Sequence, residues 1–253
     1  YRDYQQAAVE IWTRTLGEQH PAMADAIDNT ALAYARLGRY DEAIAAQQKA
    51  LAMRRRAFDA DDLSIGTSLN NLGAFEEARG NYAEAEAYHR EALDRHLATL
   101  GPDDPRVAAS RVNLGLTVLR QQRPDEAREL AERAISLLER AAPEHPYLGH
   151  ALVLQASAAE QSGDGPAAER AAGRALDLCE RGVQLEPLVC TEARWVQAKV
   201  LGTRPEARAR ARELGRRVQQ ELRGAPEAAP ALVREVDEWL RERQAGVSLA
   251  PPP

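Results

Sequence analysis

Leu69-Asn70-Asn71-Leu72-Gly73, Gly80-Asn81-Tyr82 and then Ala85, His89 and Ala92 decide the fold. Leu69, Leu72 and Gly73 recur at the three- and four-residue spacing of a helix face. Gly80 breaks the pattern. Ala85, His89 and Ala92 restart it on a second helix. The stretch therefore reads as two amphipathic helices joined by a tight glycine turn. The glycine supplies a backbone conformation that other residues reach only at a cost.

The same phrase returns on both sides of it. Ala31, Gly73 and Gly115 stand 42 residues apart, as do Ala43, Ala85 and Ala127, and Ala8, Ala50, Ala92 and Ala134. A fourth copy is one residue shorter, with Ala156, Ala168 and Ala175, and a looser fifth has Trp195, Gly202, Ala207 and Leu214. Small residues held in register let the first helix of each copy (helix A) lie close against the second (helix B). Gly38, Gly80 and Gly202 are expected at the ends of A helices with positive φ. The links repeat as well. Leu16–Pro21 corresponds to Leu100–Pro105 and to 143–146, each placing proline where a helix begins, and Asp104 is an expected N-cap.

These phrases, with Gly38-Arg39-Tyr40-Asp41-Glu42-Ala43 and Leu100-Gly101-Pro102-Asp103-Asp104-Pro105, resemble the 42-residue tetratricopeptide repeats of kinesin light chains and their bacterial relatives. The resemblance covers residues 1–180 well and 187–222 loosely. It implies an all-α, right-handed α-solenoid of helical hairpins ending in a capping helix. The array is expected over residues 1–222, with about five B helices after the first, the cap over 223–243 and a disordered tail over 244–253. Period alignment sets Tyr1 level with Ala43, inside a helix B, so residues 1–15 are expected to continue a longer array. The run from Ala207 to Arg212, followed by Val236-Asp237-Glu238-Trp239-Leu240, resembles the end of the repeat regions attached to bacterial, myxobacterial-type serine/threonine protein kinases. That resemblance implies a kinase domain upstream.

Composition narrows the function. A net charge of −6, with acids and bases interleaved, argues against a nucleic-acid binder, and no apolar run is long enough for a membrane span. Thirty-one of the 33 basic residues are arginine, a bias that suits a GC-rich bacterial genome. Cys179 and Cys190 are expected as buried free thiols in a reducing compartment, hence a cytoplasmic protein. No phosphate-binding loop, metalloprotease pair or kinase motif is present, and Gly163-Asp164-Gly165 reads as a turn between helices. His89 and His96, seven apart, lack a third metal ligand nearby. The expectation is a non-enzyme with no cofactor and no metal.

The remaining candidates are polar residues on the A helices, which line the concave side of such an array. Asn29, Asn71 and Asn113 form a ladder at the repeat period, with Asn70 beside Asn71. An amide that donates and accepts suits the backbone of an extended segment. The resemblance implies cargo-peptide contact for asparagines of this kind. Arg36 and Arg120 can pair with acidic side chains of such a guest. Asparagine there also suits a bridge between neighbouring helices, and exposed arginine also stands in solvent. The expected partner is a protein or peptide held in the groove, with no nucleic acid, no membrane and an oligomeric state the sequence leaves open. Self-association, or packing within a multidomain protein, is the alternative.

Overall fold

The computed structural model describes residues 21–57, 62–224 and 229–244. Every regular element among them is helical, and the chain divides into two compact units, residues 1–123 and 124–253. The expected helix over residues 1–15 and the tail beyond 244 lie outside the described residues.

The first unit comprises α1 (Pro21–Arg36), α2 (Tyr40–Ala57), α3 (Leu63–Arg79), α4 (Tyr82–Leu100) and α5 (Pro105–Arg120). A and B helices alternate. Each packs on the next in sequence, because the period puts its smallest residues at the crossing: Ala31, Ala43, Gly73, Ala85 and Ala92 are fully or almost fully buried. Leu69, Leu72, Ile65 and Phe75 of α3 fill the space between α1, α2 and α4. Burial of such a side chain is worth roughly 1.5–3 kcal/mol. Asp62 and Asp104 cap α3 and α5, accepting from the backbone N–H of Ser64 and Arg106 at 2.8 and 2.9 Å. The turn glycines behave as expected at Gly38 (φ 71°) and Gly80 (φ 85°). One period later the same turn is made by Gln122 at φ 60°, a conformation that costs a side-chain-bearing residue about 1 kcal/mol.

The second unit comprises α6 (Pro124–Ala141), α7 (Tyr147–Gln161), α8 (Gly165–Glu180), α9 (Pro187–Gly202), a short 3-10 turn (Pro205–Ala207), α10 (Arg208–Arg223) and α11 (Pro230–Gln244). Gly163-Asp164-Gly165 is the α7–α8 turn, with Gly163 at φ 78° and Asp164 accepting from Ala167 N–H at 3.0 Å. Ala156, Ala159, Ala168 and Ala172 pack against Val196 and Val200. The last helix does not follow the repeat. It covers α9 and α10 with Val236, Trp239 and Leu240, and Trp239 meets Trp195 edge-on at 5.2 Å between ring centroids.

Two expectations need correction here. Gly202 has no positive φ: it is the last helical residue of α9, and a Cβ on it would lie 2.9 Å from the Trp239 ring. Glycine is needed there for closeness and not for backbone freedom. Cys179 and Cys190 are not free thiols. The turn after α8 folds the start of α9 back so that their Cα atoms stand 6.2 Å apart, and the two form a disulfide. A disulfide here gives no support to a reducing compartment. No described helix is long and apolar enough to cross a membrane.

Candidate peptide-binding face

The six candidate residues all lie in the first unit, on α1 (Asn29, Arg36), α3 (Asn70, Asn71) and α5 (Asn113, Arg120). The structure separates them into two groups.

Asn70 is part of the hairpin's own fastening. Its Oδ1 lies 3.1 Å from Nδ1 of the buried His89 on α4, and its Nδ2 donates to Ser110 Oγ of α5 at 3.4 Å. One period earlier Asp28 does the same work, accepting from Gln47 Nε2 at 2.6 Å. A second fastening lies seven residues further along each B helix. Arg54 donates to Ser68 at 2.5 Å and also pairs with Asp25 and Asp28, while His96 meets Ser110 at 2.7 Å. Asp28 and Asn70, Gln47 and His89, Arg54 and His96, and Ser68 and Ser110 are each 42 residues apart. A polar contact from helix A to its own helix B and on to the next helix A is thus repeated with different chemistry. Burial lowers the pKa of His89 to about 4 and pushes that of His96 down as well, so both rings stay neutral at pH 7.

Asn29, Asn71 and Asn113 point the other way. Asn29 is exposed, Asn71 and Asn113 are half-buried, and none of the three side chains has a hydrogen-bond partner among the described residues. Three residues further along each helix come Leu32, Ala74 and Leu116, all exposed. Four more residues bring Arg36, Ala78 and Arg120, also exposed. Residues at i, i+3 and i+7 share a helix face. Each A helix of this unit therefore presents an amide, then a hydrocarbon side chain, then a cation or alanine, in the same order. Arg36 has no ion pair among the described residues. Arg120 stands near Glu77 of α3, whose carboxyl is pushed up by burial and pulled partly back by the Arg120 charge and by a 3.3 Å bond from Thr117 Oγ1.

Sequence reasoning missed the row of Leu32 and Leu116 and the carboxylate of Glu77. Apolar residues at helical spacing look like core, and only the packing shows that these two face outward. The available signal was their phase: each lies three residues after a ladder asparagine. No group of three or more His, Cys, Asp or Glu side chains able to hold a metal occurs among the described residues.

Stacked hairpins of this length and register are the architecture of tetratricopeptide proteins. The tetratricopeptide repeat family model matches residues 2–56 and 64–140, more than half of the chain, which therefore belongs to that family. The chain is similar in structure to BtubC (BKLC) from P. vanneervenii, with TM-score 0.65 and 23% identity over 74% of each chain. It is also similar to the nearly identical TPR-like repeats of a Podosopora anserina putative kinesin light chain. One crystal structure of those repeats gives TM-score 0.64 at 20% identity, covering 79% of this chain and 96% of that one. A point variant of the same repeats gives 0.60 at 22% identity, covering 72% and 92%. At these identities the likeness concerns the fold. No curated protein sequence matches the chain.

Proposed function

We propose that the first unit binds a segment of a partner protein across α1, α3 and α5, held by the amides of Asn29, Asn71 and Asn113. The observation that carries this reading is the contrast between neighbours: Asn70 is taken up inside the hairpin, whereas the three ladder amides have no side-chain partner among the described residues. A polar group held in register and left unpaired favours a guest backbone over an internal bridge. Leu32 and Leu116 give the guest's apolar side chains a place to rest, and Arg36 and Arg120 favour carboxylates at one edge. The chain acts by binding and not by catalysis, and it serves as a recruitment region of a larger signalling protein such as a serine/threonine kinase.

The test is a peptide array probed with the chain, followed by titration of the best peptide. Changing Asn29, Asn71 and Asn113 to Ala removes three hydrogen bonds worth roughly 0.5–1.5 kcal/mol each, so affinity should fall tenfold or more while the melting temperature holds. Equal affinity for the variant and the parent chain would remove the ladder from the site.

A further inference from the structure

The second unit carries a charge feature that the asparagine face does not use. Between Arg204 and Arg223 the chain has seven arginines against three glutamates, in a protein whose net charge is −6. The structure sorts the arginines of α10 onto two flanks. On one flank Arg210 and Arg217 border a cleft of about 310 Å³ with Asp177, Glu180 and Arg194. There Glu221 accepts from Arg194 and Arg217, so carboxylates offset the cations.

The other flank is different. Arg208, Arg212, Arg216 and Arg223 are all exposed and fall on one side of the helix, and none has an ion pair among the described residues. Gln219, on the same side, donates to Asp237 of α11 at 2.6 Å. Arg234 and Arg241 lie three residues before and four after Asp237, so they join the same seam, and both are exposed. Among the described residues the Arg241 side chain bonds only a backbone carbonyl, that of Asp237, at 3.2 Å. Asp237 is engaged by Gln219 and Glu242 by Arg243, which leaves Glu213 and Glu238 as the other carboxylates along these faces, against six arginines. The local rule is broken as well. The first turn of α10 carries Arg208 and Arg210 and no acidic residue, although a helix N-terminus favours negative charge. Every cation there adds to the positive helix end instead of opposing it.

We propose that this α10–α11 seam is a docking surface for a short acidic helix of a partner protein. Arginines at four-residue steps stand about 6 Å apart along the axis, and carboxylates at four-residue steps on a facing helix have the same spacing. The stripe from Arg208 to Arg223 runs about 22 Å, which is about four turns. Guanidinium and carboxylate pair with two parallel hydrogen bonds, a geometry lysine would not give. The surroundings choose among anions. No large hydrophobic residue of the second unit is exposed among the described residues, so none of them offers bases an aromatic platform or a lipid layer an apolar anchor. Outside the stripe the chain is strongly acidic, which repels a long phosphate polymer but leaves a short acidic segment unopposed.

The proposal stands apart from the asparagine face, and the experiment keeps them apart. The probe is a labelled alanine-based helical peptide about 16 residues long, with glutamate at every fourth position, titrated against the whole chain. Binding is expected, with an affinity that falls as salt rises from about 50 to about 200 mM, and a glutamine version of the peptide should not bind. Changing Arg212, Arg216 and Arg223 together to Gln should weaken binding about tenfold or more, with circular dichroism unchanged, since these exposed side chains have no hydrogen bond or ion pair among the described residues. The Arg36→Gln, Arg120→Gln pair removes charge elsewhere and should leave binding intact. The proposal is overturned if the glutamate peptide does not bind, or if the triple variant binds it as well as the parent chain. It is also overturned if the Arg36, Arg120 pair is what abolishes binding. Tighter binding of a DNA duplex or of phosphatidylserine vesicles at the same arginines would overturn the choice of partner.

Discussion

Gly73 of α3 and His89 of α4 occupy one space: a Cβ on Gly73 would lie 2.5 Å from the imidazole ring. The same holds one step away, where a Cβ on Gly66 would lie 2.4 Å from His96. In this hairpin the glycine of helix A and the histidine of helix B fit as a pair. One period earlier Ala31 stands where Gly73 does, and Gln47 where His89 does.

That pairing gives the first prediction. Gly73→Ala should destabilise the first unit by about 1–3 kcal/mol, because the buried ring has nowhere to go. Adding His89→Gln should recover much of the loss, since Ala31 with Gln47 already packs that way. Urea unfolding of the two single variants and the double variant measures the coupling. Additive effects would show that glycine and histidine are not in fact fitted to each other.

His89 also sets a pH dependence. Burial lowers its pKa to about 4, against about 6.5 in the unfolded chain, so below pH 6.5 the unfolded state takes up the proton more readily. The stability is complete above pH 6.5 and is lost as pH falls from 6.5 towards 4, by about 3 kcal/mol in all. His96 is lowered for the same reason and adds to the loss. Glu77 and Asp28, both raised by burial, act in the opposite sense. The measurement is therefore a difference. Unfolding free energies of the parent chain and His89→Gln between pH 7 and pH 4 should converge as pH falls, and parallel curves would exclude His89 as the source.

The turn between α5 and α6 offers a gain. Gln122 adopts φ 60° where Gly38, Gly80 and Gly163 supply glycine at the matching position. Gln122→Gly should raise stability by about 0.5–1 kcal/mol, the relief of left-handed strain less the extra freedom of glycine in the unfolded chain. Gly80→Ala should cost a similar amount. A rise in melting temperature for the first and a fall for the second is the expected pattern.

The Cys179–Cys190 disulfide closes a short loop, with a sequence separation of 11. Loop-closure entropy puts its stabilisation at about 3 kcal/mol. Adding a reductant, or changing both residues to Ser, should lower the melting temperature of the second unit. Free-thiol titration before and after reduction should read zero and then two. Two thiols before reduction would return the pair to the unlinked state read from sequence.

The repeat was legible because packing forces it into the sequence. Ala43 and Ala85 lie fully buried where helix A meets helix B, with little room for a larger side chain, and the period carries the same small residue on to Ala127, so the pattern announces the hairpins. The caps at Asp62 and Asp104 and the turn at Gly80 are local chemistry and could be read locally. The disulfide was not legible, because two cysteines eleven residues apart say nothing about how the turn between them folds. The candidate face was half legible. The ladder of Asn29, Asn71 and Asn113 shows in the spacing, but adjacent residues such as Asn70 and Asn71 look alike in sequence, and helix rotation sends one into the hairpin and the other out of it.

The sequence alone therefore determined the class of fold and its register, since close-packed small residues leave no other periodicity. Which polar residues are consumed internally was decided only by tertiary structure. Asn70 finds His89, a residue nineteen positions away, while Arg212 and Arg216 find no partner among the described residues. A hydrogen bond or ion pair depends on angles and distances between helices, and those are set by the packing of the whole unit and not by the local run of residues.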